Sequence, residues 1–296
     1  MSLNASAVGT ELRPLTAQVD ARWLMAYAAG LGRSEPTYFD TTRPDGLVNH
    51  PLFPIAVEWG LLTDTDSGIK TLGLSPSEWL LAVHASHDLH LHRAIRPGTA
   101  VTVSAQIVGI EQTPPGGLVT IRFRGADRDG PLWTTWMGSL YRGVTVVGAD
   151  RVLGTSAPNP PASATGASAA RESLGAVPVE TWAPHVYSEC SRIWNPIHTD
   201  LSVALAAGLP GVILHGSANL AHGVDAVLNA LNAGPVRVIR VGGSFRHVVA
   251  VPSTIHPTMT AVARGADGTA TAHFDVLNDA GRPAVRDGFV VIDALA

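Results

Sequence analysis

From about Gly148 to Ala170 the chain is dominated by Ala, Ser, Pro, Gly and Thr and shows no apolar periodicity, which is the composition of a linker. The stretches on either side of it can be laid over one another. This duplication constrains the fold more than any single motif, because internal similarity at this scale means two copies of one structural unit. The division gives an N-terminal half of residues 1–147, a linker of 148–170 and a C-terminal half of 171–296.

In the first half Asp20 stands as a helix-start signal before the short amphipathic run Ala21 to Gly30. A Gly/Pro/Asp-rich stretch leads through Asn49-His50-Pro51 into the apolar segment Leu52 to Leu62. A β-rich region follows, covering His90 to Gly98, Val101 to Val108, Leu118 to Phe123 and Leu132 to Tyr141, which alternate or are β-branched. The second half repeats the order. Tyr187 to Asp200 precedes a helical run Val203 to Gly208, Ile213-Leu-His215-Gly216 opens another helix, and strands are predicted over Val236 to Val241 with Ser244 to Val248, Thr254 to Ala263, Thr269 to Val276 and Ala284 to Ile292. The punctuation matches too: Asp127-Arg-Asp-Gly130 and Asn278-Asp-Ala-Gly281 are hairpin signals at equivalent places. Each half therefore reads as a central apolar helix followed by an antiparallel meander. The class is α+β, and the outline is that of a double hotdog, two antiparallel sheets each wrapping a central helix. An unrelated two-domain α+β protein fits the periodicity as well.

Composition narrows the function. With 296 residues, 46% hydrophobic and 15% charged, the chain can bury a large core, and its charged fraction lies well below the roughly 25% of an average soluble chain, which suits a homo-oligomer. A net charge of -4 leaves no basic surplus for nucleic acid or anionic membranes. The single cysteine, Cys190, has no intrachain partner and fits a reducing cytoplasm. The sequence begins without a signal-peptide pattern, and no apolar stretch approaches the roughly 18 residues of a membrane span.

The sharpest local signal is Ser191-Arg192-Ile193-Trp194-Asn195-Pro196-Ile197-His198, followed by Ala204 and by Leu214-His215-Gly216. Together with Tyr187, these residues resemble the hydratase 2 motif of the MaoC-like acyl-CoA hydratase/dehydratase family, and the first half is similar to the degenerate partner hotdog of two-repeat members. The resemblance implies reversible addition of water to a trans-2-enoyl-thioester, giving a 3-hydroxyacyl-thioester, with coenzyme A or an acyl carrier as handle and no metal or redox cofactor. His198 would exchange the proton, Asn195 would organise it, and the Gly216 N–H at a helix start would face the thioester oxygen. Tyr187, Ser191, Arg192, Trp194, His215 and Arg246 would line or bind the substrate, Arg246 by meeting coenzyme A phosphates. The first half, which has no Asn-Pro-x-His, would shape the substrate tunnel.

One departure stands out. The family pattern places an Asp two residues before the Asn, where this chain has Ile193, and Glu189 and Asp200 are the nearest carboxylates in sequence. Taken singly, Asn195-Pro196 is also an ordinary turn, His198 a loop-bonding imidazole and Gly216 a packing glycine. The absent carboxylate keeps a non-catalytic acyl-thioester binding protein or scaffold in play, and a hotdog thioesterase is a further rival. The cluster of His84, His87, His90 and His92 with Asp88 lacks diagnostic metal-ligand spacing.

Overall fold

The structure is a computed structural model that describes residues 2–64, 66–79, 82–154, 158–162 and 171–293. In chain order its elements begin with β1 (Ser2–Asn4), β2 (Glu11–Val19), α1 (Ala21–Gly30), α2 (Pro36–Phe39), α3 (Pro54–Thr63), α4 (Pro76–Trp79), β3 (Ala82–Leu91), β4 (Thr99–Thr113), β5 (Gly116–Asp127), β6 (Gly130–Arg142), β7 (Thr145–Val147) and β8 (Arg151–Val152). They continue with β9 (Glu172–Ser173), β10 (Val177–Val179), α5 (Ala183–Ser191), α6 (Leu201–Ala206), α7 (Gly216–Ala230), β11 (Val238–Phe245), β12 (Ser253–Arg264), β13 (Ala270–Leu277) and β14 (Pro283–Ile292). Of the linker stretch, residues 155–157 and 163–170 lie outside the described residues. Two compact units interleave in sequence, one of Met1–Gln18, Pro54–Arg93 and Ala100–Asn159, the other of Val19–Phe53, Ala94–Thr99 and Pro160–Ala296.

In the first unit the strand order is β3-β6-β5-β4-β2. β4 shows why it forms: Val101, Val103, Ala105 and Ile107 are buried at every second position while the residues between them are not, so one face of the strand is apolar. Helix α3 buries Ile55, Ala56, Val57 and Leu61 with no strongly polar face, as an enclosed helix should. Its Glu58 reaches β6, where Oε1 accepts from Trp133 Nε1 at 2.7 Å and from Thr135 Oγ1 at 2.5 Å.

The second unit orders its strands β10-β12-β13-β14-β11, and α7 packs across β11 to β14. Gly223 sets that approach, because a Cβ there would stand 2.3 Å from the Phe274 ring. The expected hairpin signals both sit at turns. Asp127 pairs with Gly130 at the end of the β5–β6 ladder, and Gly281 N–H donates to the Asn278 carbonyl at 2.8 Å between β13 and β14.

One predicted strand is misplaced. His90 to Gly98 reads as part of the β-rich region, yet the strand runs Ala82–Leu91, and His92 lies beyond its end. The reason is local: Pro97 has no N–H for a ladder, Gly98 turns with φ +85°, and the Arg93 guanidinium is drawn to Asp127 and the Gly130 carbonyl. Similarly, Pro235–Arg237 forms a single 3-10 turn, so the strand starts at Val238. Among the described residues no helix is long and apolar enough to cross a membrane.

Candidate active site in the second unit

Residues 195–198 form one tight turn. Asn195 takes an extended backbone, its Oδ1 accepts from Ile197 N–H at 3.3 Å, and Pro196 occupies the first position of the 3-10 turn Pro196–His198. His198 N–H donates to the Asn195 carbonyl at 3.0 Å. Asn195 thus fixes the turn that carries the imidazole. Ile197, Ala204, Ala207, Leu209 and Ile213 pack together beneath it.

His198 Nδ1 lies 2.8 Å from the Ile213 carbonyl. A carbonyl only accepts, so Nδ1 carries the proton and Nε2 keeps its lone pair. Against the other face of the ring lies His215, with ring centroids 3.6 Å apart and planes 22° from parallel. His215 Nε2 is 3.3 Å from the Ile193 carbonyl and 3.1 Å from Ser188 Oγ, so it too donates from Nε2. Its Nδ1 is buried with no hydrogen-bond partner. Burial pushes His198 down to about 4 and His215 well below its ordinary value, with the neighbouring imidazole adding repulsion at His215. Both rings are neutral at physiological pH, and His198 offers a desolvated base.

Gly216 opens α7, a helix of 15 residues, and His215 supplies no side-chain cap. The first N–H groups of such a helix have no intrahelical acceptor and carry the positive end of its dipole. A Cβ at position 216 would meet the Phe245 ring at 3.1–3.4 Å, so glycine lets that ring pack close to the helix start. Behind it Ser217 Oγ lies 3.1 Å from the Tyr187 hydroxyl, which is also 3.1 Å from the Tyr27 hydroxyl, and Tyr27 donates to the Leu52 carbonyl at 3.0 Å. Burial raises Tyr187 to about 12. This phenol braces the helix start and is 1% exposed.

His198, His215, Asn195 and Gly216 thus converge, with Tyr187 joined to them through Ser217. The other residues marked by the sequence stand differently. Ser191 is fully buried, donates to the Tyr187 carbonyl at 2.6 Å and accepts from Ile193 N–H, which closes α5. Arg192 takes a left-handed φ of 63° and lays its guanidinium over Trp23 at 4.1 Å. Trp194 is exposed, and so is Arg246, whose backbone N–H bonds the Ala284 carbonyl. Cys190 packs against Gly30, and burial raises its thiol, which disfavours the reactive thiolate. In the first unit, His90 pairs with Asp88 at 3.3 Å, and among the described residues no group of three His, Cys, Asp or Glu is arranged to hold a metal ion.

Residues 178–280 match the model of the MaoC-like domain. The second half carries a MaoC-like domain. Residues 6–132 match a second model, described as the dehydratase domain region of FAS1-like proteins. The crystal structure of a MaoC-like dehydratase from Phytophthora capsici is 19% identical and superposes with a TM-score of 0.80, covering 99% of this chain and 98% of that one. HtdX of Mycobacterium tuberculosis is 22% identical with a TM-score of 0.65, covering 96% of this chain and 100% of that one. A further Mycobacterium tuberculosis protein, described as having a double hotdog fold, is 15% identical with a TM-score of 0.62, covering 96% of each chain. The fold is a double hotdog. No curated protein matches the sequence significantly.

In this MaoC-like domain the motif carboxylate position is filled by Ile193, which is buried and lends its carbonyl to His215. Neither sequence neighbour replaces it. Asp200 Oδ1 accepts from Ser202 and Val203 N–H to start α6, and Glu189 is exposed. Among the described residues no carboxylate hydrogen-bonds or ion-pairs with His198. Sequence reasoning missed Ser188, which shares His215, and the buried pair His50–Asp225. His50 Nδ1 accepts from Leu52 N–H at 3.1 Å, so Nε2 donates to Asp225 Oδ1 at 3.1 Å, and Arg33 stands 3.3 Å from Oδ2. When the two halves are laid over one another, His50 falls near His215, and that is the signal the sequence offers for it.

Proposed function

We propose that the protein catalyses reversible hydration of a trans-2-enoyl thioester to a 3-hydroxyacyl thioester, with coenzyme A or an acyl carrier as handle and His198 as the proton-transfer group. The observation that carries this reading is the tautomer of His198. Its Nδ1–H is held by the Ile213 carbonyl, its Nε2 is a neutral lone pair, and its ring stacks on His215, the residue that precedes α7. In the forward direction Nε2 takes a proton from water as the oxygen bonds to C3, the double-bond electrons move toward the thioester carbonyl, and the Gly216 N–H meets the developing oxyanion. The same imidazolium then returns its proton to C2. Burial that lowers the ring to about 4 weakens it as a base but makes its conjugate acid strong, which favours that return. One imidazole performs both transfers without a carboxylate. Catalysis belongs to the second half on this reading, and the first half shapes the acyl tunnel.

The test is incubation of the full chain with trans-2-enoyl-CoA thioesters of graded length and bulk, following the conjugated-enoyl absorbance and free thiol together. Loss of absorbance without thiol release is the expected result. Thiol release would mark a thioesterase, and binding without either change would mark a non-catalytic acyl-thioester carrier.

A further inference from the structure

His198 carries the proposed chemistry, yet among the described residues one side-chain hydrogen bond holds its ring, from Nδ1–H to the Ile213 carbonyl. A bond at one edge leaves an imidazole able to tilt, because the torsion that turns the ring is broad and lacks sharp staggered wells. What opposes the tilt is a second ring. His215 lies against His198 with centroids 3.6 Å apart and planes 22° from parallel, which is van der Waals contact across the face. At 2% exposed against 9% for His198, His215 stands behind its neighbour rather than in front of it.

The supporting ring is itself held at its far end. His215 Nε2 shares its proton between the Ile193 carbonyl at 3.3 Å and Ser188 Oγ at 3.1 Å, and the Tyr187 ring meets it edge-on with centroids 4.9 Å apart. Ser188 and Tyr187 both belong to α5, and Ser188 is fully buried. The start of α7 shows what the arrangement forgoes. His215 is the N-cap residue there and makes no side-chain cap bond, whereas Asp20 and Asp200 cap α1 and α6. A Ser or Asp at an N-cap adds about 1 kcal/mol, so the ring at position 215 serves the stack and not the helix. Burial, and then repulsion from His198, push His215 well below its ordinary value, so it stays a neutral ring while His198 takes up and returns a proton.

We infer that His215 and Ser188 are positioning residues for the proton transfer: the His215 ring, pinned at Nε2 by Ser188 and the Ile193 carbonyl, holds the His198 imidazole in the plane that keeps its Nδ1–H on Ile213 and its Nε2 lone pair available to the reacting atoms. This rests on the hydratase reading, which gives His198 a proton to move. Neither residue touches substrate. A misplacement of about 1 Å at a reacting group costs on the order of 10²-fold in rate, so a support that slips acts on kcat and little on KM. A leucine at position 215 fills space but presents no flat face and no atom for Ser188 to hold, whereas a phenyl ring keeps the face and loses the pin. The grip of Ser188 therefore counts only while position 215 offers a ring nitrogen, which makes the two residues energetically coupled.

The test is steady-state hydration of a trans-2-enoyl-CoA by the full chain, by Ser188→Ala, His215→Phe and His215→Leu, and by Ser188→Ala combined with His215→Phe. Thermal unfolding is the folding control. NMR of isotope-labelled histidine nitrogens reads the tautomer of His198 directly, with His198→Ala identifying its signals. His215→Leu should lose on the order of 10²-fold in kcat and His215→Phe about tenfold, with KM changed by no more than about twofold. Ser188→Ala, which removes one hydrogen bond, should lose roughly fivefold, and should lose nothing further beside His215→Phe. The parent should show a protonated Nδ1 and a bare Nε2 at His198, and His215→Leu a mixture of both tautomers. Where His215→Leu does not fold, Ser188→Ala and its coupling to His215→Phe decide the matter. A loss that falls on KM, a Ser188→Ala effect that persists in full beside His215→Phe, or an unchanged His198 tautomer in His215→Leu overturns the proposal. Absence of hydration in the parent overturns the hydratase reading and the catalytic part of this one, and the tautomer of His198 in His215→Leu then decides by itself whether the support exists.

Discussion

Helices α3 and α7 hold equivalent places in the two repeats, yet burial acts on groups of opposite kind at Glu58 and at the start of α7. On α3 the Glu58 carboxyl is wholly enclosed, and burial pushes it up to about 7 against the pull of Trp133 and Thr135. At the start of α7 burial pushes His215 well down and His198 beside it to about 4. One physical cause, loss of water around the charged form, acts in both places. The outcomes differ because a neutral carboxyl offers a proton whereas a neutral imidazole offers a lone pair. At the start of α7 desolvation therefore leaves a base ready at neutral pH, which at Glu58 it does not.

The change expected to break this contrast most severely is His198→Ala. It should lower enoyl-thioester hydration by roughly 10²–10⁴-fold, the usual contribution of a positioned acid/base, while calorimetric binding of a saturated acyl-CoA stays nearly intact. Next in size is the pH dependence of stability. Glu58 has a folded value above its unfolded one, so its favourable state holds below about 4.5 and stability is lost as pH rises toward about 7, by on the order of 3 kcal/mol. His198 works in the opposite sense. Its folded value is depressed, so its contribution is present above about 6.5 and lost as pH falls toward about 4. Glu58→Gln should therefore remove a loss of stability between pH 4.5 and 7 in denaturant titrations, and an unchanged slope would show that the carboxyl is not desolvated.

A smaller contrast lies in the glycines of the two helices. A Cβ at Gly223 would press on the Phe274 ring and Val276, whereas at Gly60 it would meet only the end of the Leu15 side chain, at 2.9 Å. Gly223→Ala should cost about 1–3 kcal/mol by overpacking, and Gly60→Ala should be close to neutral because the helix propensity gained offsets a leucine shift. Thermal unfolding of the two variants compares them directly. Asn195→Ala removes one cap from the His198 turn. About 1 kcal/mol of stability should be lost, with a drop in hydration of no more than about tenfold, if Asn195 organises the turn and does not touch substrate.

Much of this arrangement is legible in the sequence because it is local. Asp20 caps α1, the hairpin signals stand at real turns, and the spacing of Asn195, His198, His215 and Gly216 sets the turn and the helix start. What was not legible depends on distance along the chain. Tyr27, Leu52 and His50 reach the second unit from the N-terminal half, and nothing in their neighbours marks Tyr187 or Asp225 as partners. The stacking of His198 on His215 and the grip of Ser188 on that ring are facts of packing that periodicity does not encode. The expected strand over His90 to Gly98 fails for a local reason, since the ladder stops at Leu91 and Pro97 and Gly98 turn the chain beyond it.

The most direct test of a neutral, desolvated His198 as the working base is the pH profile of kcat/KM for hydration, measured on the parent and on His198→Ala. Because the base acts unprotonated, the parent should keep its rate as pH falls through 6.5 and lose it only as pH approaches about 4, and the residual rate of His198→Ala should lack that acidic limb. A parent profile that bends near 6.5, or an acidic limb that survives in His198→Ala, would contradict it.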